Sequence, residues 1–221
     1  MLCRPNVTRV LGLALFTAAA ALFAGCASDH GQGQKVVEGF QQTQSDLNNA
    51  QQQVDSTLAA LNVVQNAKGV ENLNAAFNSY REQVQKLEKD GSAAKERARN
   101  MREQVNQNIW TWQKDMESVS DPTVKASLEA RKEAVKTNFA QAQMYADDVR
   151  AAYEPFLQEN KDIVKALSMS LSPGALPGLA PAMDKTRADG QALKQKIAAM
   201  QKALNNIEHG EAPIGKSPSA A

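Results

Sequence analysis

Apolar residues recur in alternating steps of three and four between residues 70 and 119. One heptad series is Val70, Phe77, Val84, Gly91, Ala98, Val105, Trp112 and Val119. The second series, three residues later, is Leu73, Tyr80, Leu87, Ala94, Met101 and Asn108. This spacing is typical of a coiled coil, so it predicts one long helix that continues through Asp90-Gly91-Ser92.

Three further segments show helical periodicity, and no segment shows the alternation typical of strands. The first helix is predicted over residues 35–66, which are rich in Gln with a thin apolar stripe. The third is predicted over 122–167 and the fourth over 182–207, after a connector at 172–181 rich in Pro and Gly.

Turn residues separate these segments. The apolar phase shifts at Lys68-Gly69, which predicts a break. Asp121 can cap the third helix, because its side chain can accept from free N–H groups, and Pro122 suits the first helical position. Pro155 lies inside the third helix and is expected to kink it or split it.

The predicted fold class is all-α: an elongated antiparallel hairpin or coiled coil of the second and third helices, with two further helices packed on it as a long bundle. A turn near Ser120 places residues whose numbers sum to about 240 at one level, such as Leu87 with Tyr153. This register predicts a narrow waist at residues 91–98 and 142–149.

The same register pairs Ala98 with Ala142 inside that waist. It also predicts a polar layer of Asn108 with Lys132. Phe139 falls on the seam, the line of heptad positions along which the second and third helices are expected to meet. The heptad phase therefore predicts that it is a core residue.

The N-terminus has the three-part layout of a secretory signal over residues 1–25. Arg4 and Arg9 precede an uncharged apolar run at 10–24, and small residues precede Cys26. The segment Leu22-Phe23-Ala24-Gly25-Cys26 resembles the lipobox of bacterial lipoproteins, which implies lipidation of Cys26. The alternative is an ordinary cleaved signal with an incidental cysteine.

Cleavage before Cys26 leaves a predicted flexible tether at 26–34, a helical bundle at 35–208 and a disordered tail at 209–221. Residues 1–25 hold two of the 25 basic residues and no acidic one, so the remainder has 23 basic and 24 acidic residues, a net charge of −1. This balance gives no electrostatic reason to expect a nucleic-acid partner. Cys26 is then the sole cysteine, so no internal disulfide can form.

No catalytic, cofactor-binding or metal-ligating constellation is predicted. His30 and His209 are the only histidines, and neither has a second histidine or a thiol nearby in the sequence. Gly174 and Gly178 lack the lysine and the preceding strand of a phosphate loop.

Two carboxylate pairs, Glu129/Glu133 and Asp147-Asp148, are interpreted as parts of charged, solvated helix faces. Lys132 and Lys136 lie beside the first pair. No small-molecule substrate is evident from these residues.

The two tryptophans have different predicted roles. Trp112 lies on the seam and is expected in the core, whereas Trp110 lies off it. Trp110 either packs on another helix or marks a contact surface for a partner or membrane. The apolar connector at 168–182 is expected to be a structured loop that covers the bundle end, with a docking site as the alternative.

The segment from Tyr80 to Ile197 resembles an uncharacterised family of bacterial envelope proteins, a domain of unknown function. The matching residues are Tyr80, Trp112, Glu117, Ser127, Arg131, Pro155-Phe156-Leu157, Asp162-Ile163 and Leu171-Ser172-Pro173. The chain departs from the pattern by its Gln-rich lead and its Pro-Gly-rich connector. The resemblance implies an exported, helical, coiled-coil-containing protein, and it supplies neither an activity nor site residues.

These observations lead to two functional hypotheses. The first is a structural or scaffolding rod, held to a membrane by lipid on Cys26 and contacting other envelope proteins. Ala27 follows the cysteine, and by analogy with enteric bacteria this favours the outer membrane, facing the periplasm. The alternative is an accessory or chaperone-like binding module that holds an apolar segment or lipid between its helices. An enzyme is disfavoured, and no cofactor is expected.

Overall fold

The computed structural model describes residues 30–208, with the side chains of 38–207. Four helices fill this range and no strand occurs within it, which confirms the all-α prediction. The helices are α1 (His30–Gln65), α2 (Val70–Glu117), α3 (Pro122–Met169) and α4 (Leu176–Glu208). The predicted signal peptide at 1–25, Cys26 and the tail at 209–221 lie outside the described residues.

The helix ends follow the local chemistry. Gly69 precedes α2 with φ of 84°, a left-handed conformation that glycine adopts without steric cost. Asp121 caps α3: its carboxylate accepts from the N–H groups of Thr123 at 2.8 Å and Val124 at 3.1 Å. The break at residues 68–69 and the cap at Asp121 are thus confirmed.

Two predicted helix starts are wrong. The helix α1 begins at His30, inside the predicted tether, because glycines lower helix propensity without forbidding a helix. The helix α4 begins at Leu176, six residues early, since Pro177 occupies its first turn, where N–H groups lack intrahelical partners anyway. Of the two outcomes predicted for Pro155, the split is wrong, because α3 is continuous from Pro122 to Met169.

Each helix packs on its sequence neighbours, and α4 also packs on α1, so the four form a closed ring. The closest pairings are α1 with α2 and α3 with α4. Ion pairs link α4 to both of its neighbours: Lys194–Asp55 at 2.5 Å joins α4 to α1, and Lys196–Asp148 at 3.1 Å joins α4 to α3.

Two hydrophobic clusters fill the bundle. The basal core, beside the α1–α2 and α3–α4 turns, draws on all four helices: Ala60, Leu61, Val64, Leu73, Ala76, Phe77, Tyr80, Val84, Ile163, Leu167, Leu176 and Met183. The central core comes from α1, α3 and α4, with one α2 residue: Leu47, Val54, Leu58, Leu87, Ala142, Tyr145, Phe156, Leu193, Ile197, Met200, Ala203 and Leu204.

In the half of the α2–α3 hairpin nearer the basal core, residues whose numbers sum to about 240 lie level with each other, as predicted. The Tyr153 hydroxyl donates to the Leu87 carbonyl at 3.0 Å, and its ring fills the space over Gly91. The predicted waist does not continue to Ala98, which is exposed although Ala142 is buried. Phe139, predicted as core, is only partly buried, because the heptad phase does not show whether a neighbouring helix covers the residue.

Candidate interaction surfaces

A fully buried hydrogen bond joins α2 to α3 at the level of the basal core. The Tyr80 hydroxyl donates to Asn160 Oδ1 at 2.8 Å, and Asn160 Nδ2 donates to the Phe156 carbonyl at 2.7 Å. Burial raises the pKa of Tyr80, which therefore remains a neutral donor. Because an unpaired buried polar group is costly, this pair favours one register and is a structural feature.

A second polar group joins α1 to α2. Gln53 Nε2 donates to the Gln83 carbonyl at 3.0 Å and to Gln83 Oε1 at 3.1 Å. The Thr57 hydroxyl donates to the Gln53 carbonyl at 2.8 Å. Like Tyr80 and Asn160, these groups hydrogen-bond one another, and we interpret them as structural contacts between α1 and α2.

The carboxylates singled out from the sequence form ion pairs with neighbouring cations. Lys136 lies 2.9 Å from Glu133, and Arg150 lies 3.1 Å from Asp147. Lys196 bonds to Asp148. Across the residues searched in 30–208, no cluster of three His, Cys, Asp or Glu could hold a metal ion. The side chains of His30 and His209 lie outside the described part.

The helix α2 has a long stretch with no buried residue, from 88 to 104, which we call the exposed span. Its contacts with α1 are specific but few. Arg97 makes two hydrogen bonds to Asp46, at 2.7 and 2.9 Å, and this carboxylate raises the pKa of Arg97. The Thr43 hydroxyl lies 3.3 Å from the Met101 sulfur. The exposed span is thus held at one side while Ala98 faces solvent.

Beyond the exposed span lies the distal end, which we define as residues 105–132 and which includes the α2–α3 turn. Val105, Trp112, Met116 and Lys132 are buried there. Lys132 lies 2.6 Å from Glu129 and also hydrogen-bonds Gln113 across the hairpin. The predicted polar layer is therefore confirmed for Lys132, but its partner is Gln113 and Asn108 is only partly buried.

The two tryptophans of the distal end differ in exposure as their positions in the heptad predict. Trp112 is 6% exposed, which confirms it as a core residue, and its Nε1 has no hydrogen-bond partner among the described residues. Trp110 is 65% exposed, so it does not pack on another helix within the described bundle. Of the two alternatives for Trp110, the contact surface is the one that this geometry favours.

The connector covers the basal end of the bundle as predicted, but its residues 176–182 form the start of α4 and not a loop. Leu176 and Met183 belong to the basal core, and Leu171 and Leu179 pack against it. Met169 is 73% exposed at the same end. A shallow surface groove lies nearby between α1 and α2, but its Asn62 and Asn66 side chains bond to each other at 3.0 Å, so it presents no unsatisfied buried group.

No helix within residues 30–208 has the length and apolar character needed to cross a membrane. Residues 30–210 match a family described as a protein of unknown function (DUF2959). The match is wider than the resemblance noted from Tyr80 to Ile197, and it includes both the Gln-rich lead and the connector. Comparisons with curated proteins and with solved structures give no significant match.

Proposed function

We propose that this chain, which belongs to the DUF2959 family of proteins of unknown function, is a lipid-anchored structural or scaffolding rod of the bacterial envelope. Lipid on Cys26 holds it to the membrane, and its helical body contacts other envelope proteins. By the sorting analogy for Ala27, the membrane is the outer one and the body faces the periplasm. The proposal requires no cofactor and no small-molecule substrate.

The observation that best supports a rod is the length of α2 and α3 together with their fixed register. Each has 48 residues, which corresponds to about 72 Å of helix. The buried Tyr80–Asn160 hydrogen bond and the Tyr153–Leu87 bond join them at two levels. These two hydrogen bonds and the two packed cores support a bundle with one fixed alignment of its long helices, as a rod requires.

The anchor is supported by the sequence around Cys26 and by its position relative to the body. The small residues Ala24-Gly25 precede the cysteine, and α1 begins at His30, four residues after it. The lipid would therefore be attached almost directly to the bundle. One acyl chain binds membranes only marginally, whereas the several chains implied by the lipobox resemblance give durable attachment.

Membrane fractionation of a Cys26→Ser variant tests the anchor. We expect the variant to leave the membrane fraction, since lipid would have no other cysteine to modify in the mature chain. A variant that still sediments with membranes after a high-salt wash would show that Cys26 does not hold the protein there.

The scaffolding role is tested by site-specific photocrosslinking in intact cells. Crosslinkers at Val63 and Val70, both exposed at the basal end, should capture the same envelope protein. The capture should be lost in the Cys26→Ser background, because an untethered rod no longer holds its position. Capture from the exposed span alone, and never from the basal end, would contradict a rod that scaffolds through its end.

One observation favours the binding-module alternative: the exposed span leaves Ala98 open where a closed seam was predicted. In this case the span would hold an apolar segment or lipid. Native mass spectrometry of the purified protein should then show bound lipid that Ala98→Arg removes. The matched control is Ala59→Arg, which alters an exposed alanine of α1 outside the span. Equal lipid content in the two variants would exclude this alternative.

A further inference from the structure

We infer that the distal end of the hairpin rests on the membrane that holds Cys26, with the Trp110 side chain in the lipid–water interface. The inference rests on the proposed lipid anchor and adds an orientation to it. Because the α2–α3 turn extends about 15 Å beyond Trp110, the rod would be tilted, with the basal end farther from the membrane than the distal end.

The first step is the alignment of α1 with α2. These helices are antiparallel, and Met101 lies within contact distance of Gly39. From this contact, α1 runs back nine residues to its first residue, His30, and α2 runs forward nine residues to Trp110. Because both helices rise by about 1.5 Å per residue, the start of α1 is level with Trp110.

The second step is the reach of the chain between Cys26 and the bundle. Cys26 precedes His30 by four residues, which can span at most about 14 Å. The α2–α3 turn lies about ten residues, or roughly 15 Å, beyond the level of Trp110. A lipid on Cys26 is therefore confined to the neighbourhood of the distal end, and the basal turn at Gly69 is roughly 60 Å away along α2.

The third step is the chemistry of the exposed tryptophan. An indole has a large apolar body and one N–H donor, so it favours the interface between hydrocarbon and water. Val124, 49% exposed, adds a second apolar side chain at this end. The neighbours of Trp110 one turn away on α2 are polar and exposed: Asn106, Gln107, Gln113 and Lys114.

These polar neighbours also argue against a second copy of the chain as the occupant. A stable protein interface buries about 800 Å² on each partner, far more than the exposed parts of Trp110 and Val124 supply together. A membrane contact does not need that area, because the lipid anchor already provides the attachment. A single interfacial tryptophan then needs only to orient the rod.

Tryptophan fluorescence on vesicles tests the inference directly. The chain has two tryptophans, so Trp112→Phe leaves Trp110 as the reporter, and Trp110→Phe leaves the buried Trp112 as the control. The lipidated full chain is reconstituted into phosphatidylcholine vesicles. We expect the Trp110 emission to shift to the blue, to lose accessibility to iodide and to be quenched by lipids brominated near the headgroup.

The control should show none of these changes. Unchanged emission and iodide quenching of Trp110 in protein that floats with the vesicles would overturn the membrane contact and leave the anchor intact. Protein that fails to float would instead refute the proposed anchor. A blue shift that depends on protein density and persists in detergent without vesicles would identify a second copy as the occupant and would also overturn the inference.

A second pair of variants guards against misfolding of Trp112→Phe. Spin labels are attached at Trp110→Cys and, as the matched control at the opposite end, at Val63→Cys, since Val63 is 57% exposed. The lipid on Cys26 leaves each introduced cysteine as the only free thiol. The label at 110 should become accessible to oxygen dissolved in the bilayer, whereas the label at 63 should remain accessible to aqueous nickel. Equal aqueous accessibility at both positions would contradict the inferred orientation.

Discussion

The basal core and the exposed span show two ways in which one helix can be held in a bundle. In the basal core, α2 contributes Leu73, Phe77, Tyr80 and Val84, which lie against residues of the other three helices. In the exposed span, from residue 88 to 104, the same helix has no buried residue and is held by contacts such as Arg97–Asp46. Both regions carry the same heptad pattern, so the pattern alone does not determine packing.

The difference shows which part of α2 contributes most to the free energy of unfolding. Burial of a large apolar side chain contributes about 1.5–3 kcal/mol, whereas an exposed ion pair contributes about 0.2–1 kcal/mol. The lower half of α2 is therefore fixed by packing. The exposed span has no buried apolar side chain to lose, so we expect its local opening to cost less free energy, and it leads directly to the distal end with Trp110.

The largest effect should come from truncation of a central-core phenylalanine. Phe156 is fully buried, so Phe156→Ala should lower the free energy of unfolding by about 3–5 kcal/mol. Phe139→Ala, the matched change on the same helix, should cost about 1–2 kcal/mol because Phe139 is only partly buried. Chemical denaturation measures both, and equal losses would mean that the upper half of α3 is as well covered as the lower half.

A smaller loss is expected from a methyl group added at Gly190. Its Cβ would lie 2.9 Å from Leu58 Cδ1 and 3.0 Å from the Phe156 ring, so Gly190→Ala should cost about 1–3 kcal/mol. The control is Gly178→Ala in the same helix, where no atom lies within 4 Å of the new methyl group. This control should raise the melting temperature, since alanine is the better helix former. Destabilisation by both variants would argue against tight packing as the cause.

Loss of the buried hydroxyl of Tyr80 should cost about 1–2 kcal/mol, because Asn160 Oδ1 would lose its donor inside the protein. Tyr80→Phe keeps the ring and removes only the hydrogen bond. A double-mutant cycle with Asn160→Leu, followed by thermal unfolding, isolates the coupling between the two side chains. Additive losses would show that this hydrogen bond does not hold the α2–α3 register.

The smallest effect is expected within the exposed span. Arg97→Ala should cost about 0.2–1 kcal/mol, and the loss should shrink in high salt, because the ion pair with Asp46 is partly solvated. Urea denaturation at low and high salt measures the change. A loss as large as that of Phe156→Ala would mean that Arg97 contributes as much stability as a buried core residue and that the exposed span is held as firmly as the basal core.

Sequence reasoning predicted the features that depend on local chemistry. Asp121 caps α3 and Gly69 breaks the chain, since both follow from backbone requirements of a few residues. The register also followed, because a short turn fixes which residues of two antiparallel helices are level, as Tyr153 and Leu87 show.

The sequence could not predict which neighbour covers each apolar stripe. Ala98 and Phe139 lie at heptad positions where the α2–α3 seam was predicted. They are not buried there, because α2 makes its closest contacts with α1 and α3 makes its closest contacts with α4. The tight α1–α2 pairing, which includes Gln53 with Gln83, was not predicted, because α1 is rich in Gln and has only a thin apolar stripe. The position of Trp110 level with the start of α1 likewise becomes clear only from the packed arrangement of the helices.

Amide hydrogen exchange of the full chain, resolved along α2, tests the central contrast most directly. We predict strong protection over residues 73–87, where opening requires disruption of packed cores, and much weaker protection over 88–104, where local opening exposes little apolar surface. Protection of the two segments should respond differently to Tyr80→Phe, which lowers the first and leaves the second nearly unchanged. Equal and strong protection throughout α2 would show that the helix is packed along its whole length, and it would contradict the account.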